Sequence, residues 1–175
     1  MKMIFIALFI ITMLSVSCNS KKNTKLIDDG KIFTGKWVYR SLLNCKNINA
    51  DFDSLEFAAA TIQLSNIGSD SISGQILWAV NSPATIFNGL NLRGKYFYND
   101  STLCYFINGF GDSTLGTAGW QYNYQGFVVP HWLNGVNQAV VLVGSVIRVK
   151  KHSCDSWGKN CNPAGLVAST YMVKN

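Results

Sequence analysis

From residue 31 onward, apolar and polar side chains alternate with a period of two, in runs broken at intervals by Asn, Asp and Gly. That pattern predicts eight strands, over about 35–43, 55–65, 71–80, 85–98, 102–109, 117–129, 139–151 and 164–173. Alternation is cleanest in the third, where Ile72, Ile76, Trp78 and Val80 share a face and Ser71, Ser73 and Gln75 take the other. One face is dry and the other is wet or turned to a ligand. The breaks carry residues that tolerate positive φ: Asn66-Ile67-Gly68-Ser69-Asp70, Asn99-Asp100, Gly109-Phe110-Gly111-Asp112 and Asn134-Gly135. Leu55-Glu56-Phe57-Ala58-Ala59-Ala60 has helix propensity, but Thr61-Ile62-Gln63-Leu64-Ser65 continues as strand, so the segment is assigned to the sheet. No helical stretch is long enough to cover such a sheet, which must close or pack on a second sheet to protect its edges. The predicted fold is all-β and antiparallel: an eight-stranded up-and-down β-barrel, with a β-sandwich as the alternative.

Ahead of this domain the pattern changes. Lys2 precedes an apolar stretch from Met3 to Leu14, too short to span a bilayer and suited to a signal peptide. Leu14-Ser15-Val16-Ser17-Cys18 resembles a bacterial lipobox, with Ser15 in place of the usual large aliphatic residue. The resemblance implies a lipoprotein signal peptide over 1–17, lipid attachment at Cys18, a flexible membrane tether over 18–30 and a single domain over 31–175. The implied address is the bacterial cell envelope, anchored to its outer membrane, with the domain in the periplasm or on the cell surface. An ordinary secretory signal that leaves Cys18 as a thiol is the alternative.

The chain of 175 residues is 48% hydrophobic, 13% aromatic and 14% charged, enough for one well-filled core and unlike disordered, collagenous or coiled-coil sequences. Its net charge of +6 is spread over the tether, single strand positions and Arg148-Val149-Lys150-Lys151-His152. No extended phosphate-binding stripe results, and nucleic acid is not an expected partner. Beyond Cys18, the cysteines are Cys45, Cys104, Cys154 and Cys161, an even number that an oxidising compartment would pair into two disulfides. Of three connectivities, spacing favours Cys154–Cys161 around a clipped loop, leaving Cys45–Cys104 by elimination. Zinc is the competing use of these cysteines. There is no C-x-x-C pair and the only histidines are His131 and His152, so neither a metal site nor a cofactor is expected.

Phe33-Thr34-Gly35-Lys36-Trp37 resembles the Gly-x-Trp that opens the first strand of calycins, the superfamily of eight-stranded barrels that includes lipocalins and avidins. The resemblance implies that Trp37 plugs the closed end and that a basic residue on a late strand, here Arg148, stacks on it by cation–π contact. Leu142-Val143-Gly144-Ser145 is similar to an avidin phrase, but Val146 replaces the acidic residue that follows it there, so no biotin site is carried over. The block from Gly119 to Arg148, closing with Pro163-Ala164-Gly165-Leu166-Val167-Ala168-Ser169, is similar to a feature of secreted proteins with no assigned function. It implies a common family and no particular chemistry.

Trp120, Tyr122 and Tyr124 alternate onto one face, with Gln121, Asn123 and Gln125 on the other. Aromatic faces with amides nearby suit sugar rings and flat apolar ligands; the alternative is that the rings fill the core and the amides face water. The connection from Pro130 to Gln138, which carries Trp132, reads either as a lid at the barrel mouth or as a plug. His131 and His152 show no catalytic partner in the sequence, Ser145 lies outside any G-x-S-x-G elbow, and Asp51, Asp53 and Glu56 lack the spacing of an EF-hand. The expectation is a non-catalytic binding protein whose mouth, lined by Trp120, Tyr122, Tyr124, Trp78 and Trp132, takes a small apolar or glycan-like ligand. The alternatives are an envelope interaction module with a filled barrel that meets a protein through its loops, and a cofactor-free isomerase or cyclase working through His131.

Overall fold

The computed structural model describes residues 29–46, 49–51, 53–79, 87–129, 139–150 and 164–175. Eight antiparallel strands follow one another around a single closed barrel: β1 (Gly35–Leu43), β2 (Glu56–Asn66), β3 (Ser71–Ala79), β4 (Phe87–Asn99), β5 (Thr102–Gly111), β6 (Gln121–Val129), β7 (Val141–Arg148) and β8 (Val167–Lys174). β8 closes the ring on β1 in register from Trp37↔Lys174 to Leu43↔Ala168. With one sheet and every strand paired on both sides, the sandwich alternative is excluded and no edge is left exposed.

Most strand ends fall within two residues of the hydrophobic alternation, because each strand puts one apolar row inside the ring. β7 ends and β8 begins three residues inside the predicted bounds, and the β5–β6 connection moves as well. β5 continues through the predicted turn at Gly109-Phe110-Gly111, and the chain reverses instead at Asp112. The Asp112 carboxylate accepts the Thr114 N–H at 2.7 Å and starts a 3-10 turn over Ser113–Leu115, which ends at Gly116 in the left-handed region (φ 68°). This reversal takes up the residues before Gln121, so β6 begins four residues later than predicted.

One end of the barrel is filled. A helical turn over 29–33, starting inside the segment assigned to the tether, lays Phe33 across that end; Phe33 and Trp37 are both fully buried. The Phe33 ring stacks on Tyr96 (centroids 5.0 Å, 24°) and meets Tyr105 edge-on at 6.3 Å, while Trp37 Nε1 donates to the Phe33 carbonyl at 2.9 Å. Lys174 Nζ lies 5.6 Å from the Trp37 ring centroid and donates to the Lys31 and Ile32 carbonyls at 3.2 and 3.1 Å. It thereby satisfies carbonyls at the C-terminal end of the turn. We call this the stoppered end.

The expected stacking of Arg148 on Trp37 does not occur. In an up-and-down barrel all odd-numbered strands run the same way, so Trp37 near the start of β1 and Arg148 at the end of β7 occupy opposite ends. Lys174, brought beside Trp37 by the β1–β8 register, supplies the cation instead.

The same polarity separates Cys45 from Cys104. Cys45 is exposed beyond the end of β1, whereas Cys104 is the third residue of β5, half-buried and facing outward in register with Phe97 and Phe127. β1 and β5 run in the same direction on opposite sides of the ring, and a strand of nine residues is about 30 Å long. A disulfide needs Cα atoms within about 7 Å, and none joins these two. Cys18, Cys154 and Cys161 lie outside the described residues.

Candidate functional site

The end away from Trp37 is hollow. β2, β4, β6 and β8 begin there and the odd strands finish there, around a cavity of about 520 Å³. Its aromatic wall comes from two of the sequence-predicted residues: Trp78, near the end of β3, stacks on Trp120, just ahead of β6, with centroids 5.9 Å apart and planes 14° apart. Alternation along β6 turns Tyr122 and Tyr124 into the barrel, and both line the cavity. The amide ladder divides: Gln121 and Asn123 are half-buried and Gln125 is exposed.

Trp132, the fifth predicted ligand residue, lies outside the described residues, as do His131 and His152. The strand ends that its connection joins, Val129 and Val141, are paired at the stoppered end and not at the cavity.

Beneath the tryptophan wall lies a cluster of phenols. Tyr39 meets Tyr124 edge-on (6.0 Å, 77°), and Tyr122 lies 6.4 Å from Tyr124. Burial pushes the Tyr124 hydroxyl well above the ordinary phenol range. Burial also raises Tyr39, with a partial offset from the Ser41 hydroxyl, and raises Tyr122, which the Arg148 guanidinium pulls partly back. All three stay neutral across physiological pH and serve as hydrogen-bonding groups, not as bases.

Arg148 completes the site. Continuing the inward row Leu142, Gly144, Val146, it is 2% exposed and lines the cavity. Its Nε donates to the Tyr122 hydroxyl at 3.0 Å, and its guanidinium carbon lies 5.3 Å from the Phe57 ring centroid and 5.4 Å from that of Tyr122. Its Nη1 is buried with no hydrogen-bond partner among the described residues. Glu56 also lines the cavity but is held by Arg40, whose Nη2 lies 2.6 Å from the Glu56 carboxylate and whose Nε donates to it at 2.8 Å.

Several lining residues were not assigned to the site from the sequence, Glu56, Phe57 and Tyr39 among them. Glu56 and Phe57 sit in the Ala-rich run whose helix propensity masks the alternation, and Tyr39 alternates with Trp37 without any sign of its depth in the barrel. Arg148 carried a visible signal, namely a charged residue on the dry phase of a strand. Among the described residues no three of His, Cys, Asp and Glu gather to hold a metal ion. Outside the barrel, Phe97, Phe106 and Phe127 are exposed around Cys104 and edge a shallow hollow.

Fold and site together define an up-and-down barrel stoppered at one end and hollow at the other, with an aromatic wall, neutral phenols and one buried guanidinium. Comparison with protein-family models, curated proteins and solved structures found no match.

Proposed function

We propose that this chain is a membrane-anchored bacterial envelope lipoprotein of calycin type that binds a small apolar or glycan-like ligand in the hollow end of its barrel, without catalysis. The observation that carries the reading is the cavity of about 520 Å³ beside the stacked Trp78 and Trp120, a size and lining that suit a small organic molecule. A barrel working only as a protein-interaction module would have no need to leave this end open while packing Phe33 and Trp37 so completely at the other. Support for the calycin type comes from Gly35-Lys36-Trp37 at the start of β1 and from the placement of Trp37 at the stoppered end. Support for the anchor comes from the lipobox-like residues before Cys18, which lie outside the described residues.

A thermal-shift screen against one pool of lipids and apolar metabolites and another of glycans tests the binding reading. A ligand present at a hundred times its Kd adds about 2.7 kcal/mol and raises the Tm by about 5–10 °C. A shift with one pool selects the ligand class; no shift with either removes the binding reading and favours a protein partner. For the anchor, labelling with radioactive palmitate in a bacterial host is expected to depend on Cys18 and to vanish in Cys18→Ala. Unlabelled wild-type chain would rule the anchor out.

A further inference from the structure

Resting on the reading of the cavity as a ligand site, we propose that its occupant carries a singly charged oxyanion, a carboxylate or a sulfonate or sulfate equivalent, seated against Arg148 with its apolar body along Trp78 and Trp120. β7 delivers Leu142, Val146 and Arg148 to the barrel interior, so a guanidinium stands where the pattern calls for an apolar side chain. A guanidinium does not shed its proton inside a protein, and a buried charge is costly unless it is paired and hydrogen-bonded. Burial of Arg148 therefore has to be offset by something in contact with it.

The described residues supply only part of that offset. Tyr122 accepts the Nε proton, and the Phe57 and Tyr122 rings offer their π faces. None of these groups carries a negative charge. Tyr39, Tyr122 and Tyr124 are held neutral by burial, and the one carboxylate that lines the cavity among the described residues, Glu56, is already paired with Arg40. Among the described residues that line the cavity, Arg148 is the one cation and Glu56 the one carboxylate, and because Glu56 is taken up by Arg40 the guanidinium is left with no anionic partner and an orphaned Nη1.

A neutral acceptor such as a sugar hydroxyl or an ester carbonyl would satisfy the Nη1 proton and leave the charge uncompensated. An oxyanion does both, because the Nη1–Nη2 edge of the guanidinium presents parallel N–H groups matched to two oxygens of one acid group. The Tyr122 bond holds Nε and so leaves that outer edge for the ligand. The stacked indoles define the other end of the occupant, which is flat or apolar.

Two fluorescent probes that share an anilinonaphthalene ring system test this directly: 8-anilinonaphthalene-1-sulfonate, which carries an acid group, and N-phenyl-1-naphthylamine, which does not. Both would be titrated into the full chain in buffered physiological salt, with Arg148→Met and Arg148→Lys in parallel. Any contribution from the apolar N-terminal segment is then common to all three proteins. The wild type is expected to bind the sulfonate about tenfold or more tightly than the neutral probe. That ratio should fall to about one in Arg148→Met, whatever happens to each affinity alone, and to an intermediate value in Arg148→Lys, which keeps the charge but loses the fork. Equal affinities in the wild type would overturn the anion inference while leaving the cavity reading in place. Binding of neither probe would take both down. A preference that survives undiminished in Arg148→Met would remove the assignment to this residue; should that variant fail to fold, the same result in Arg148→Lys would do so.

Discussion

Tyr122 and Arg148 face one another in register across β6 and β7, and the phenol oxygen accepts the Nε proton of the guanidinium at 3.0 Å. Both are buried, so the bond fixes the one cationic side chain among the described residues that line the cavity against the barrel wall. Tyr122→Phe would keep the ring and remove the acceptor, leaving a second buried N–H of a charged group without its partner. We expect a loss of about 1.5–3 kcal/mol, seen as a fall of several degrees in Tm by far-UV circular dichroism. An unchanged Tm would mean that solvent in the cavity substitutes fully for the phenol.

Trp120 and Trp78 form one continuous stacked wall, and Trp120 is only partly buried. Trp120→Ala should therefore cost the fold little and the site much. The expected outcome is loss of the thermal shift given by any ligand that stabilises the wild type, with the far-UV spectrum retained. A variant that binds as well as the wild type would place the ligand elsewhere.

The interior phenols set a limit on stability at high pH. An unfolded tyrosine ionises near pH 10, whereas in the folded barrel burial holds Tyr39, Tyr122 and Tyr124 above that value and pushes Tyr105 up to about 12. The folded state retains protons that the unfolded state releases, so stability is intact below pH 10 and is lost as pH rises through 10 toward the folded values. The urea midpoint should fall steadily above pH 10, and part of the tyrosinate absorbance should appear only as the far-UV signal collapses. Titration of all seven tyrosines near pH 10 with the barrel intact would contradict this.

Gly126 and Gly144 are register partners on β6 and β7, where the strands approach so closely that a Cβ on Gly144 would collide with the Gln125 carbonyl and one on Gly126 with the Val143 carbonyl. Gly144→Ala is expected to destabilise by about 1–3 kcal/mol, because the obstacle is backbone and cannot turn aside. Gly68→Ala, in the open β2–β3 turn with its nearest neighbour at 3.8 Å, should stay within about 0.5 kcal/mol of wild type. Chemical denaturation of both variants against wild type measures the contrast; equal costs would refute the backbone explanation.

Non-reducing peptide mapping should find no link between Cys45 and Cys104, and Cys104→Ser should leave the Tm within about 2 °C of wild type, since the side chain faces outward and only half-buried. A Cys45–Cys104 peptide would require the two ends of the barrel to meet.

The strands were legible in the sequence because alternation and turn chemistry are local: the pleat alone sends Ile72, Ile76 and Trp78 one way, and Asn99-Asp100 turns the chain whatever lies beyond it. The presence of Trp78, Trp120, Tyr122 and Tyr124 on inward rows was legible for the same reason. Closure was expected from the sequence as one of two ways to protect the sheet edges; the register in which the ring closes, and the contrast between a filled and a hollow end, were not legible. They depend on the β1–β8 pairing and on which side-chain volumes share a layer across strands far apart in sequence, as when Phe33, Trp37, Tyr96 and Tyr105 pack together below while Tyr39, Phe57 and Arg148 leave space above. Strand polarity lies between the two cases. Once an up-and-down order is assumed it sends Trp37 and Arg148, and likewise Cys45 and Cys104, to opposite ends, yet pairing them on residue type alone overlooks it. Residue type dictates what a side chain can bond to, but only the closed ring brings a given partner within reach: Lys174 for Trp37, and Tyr122 for Arg148.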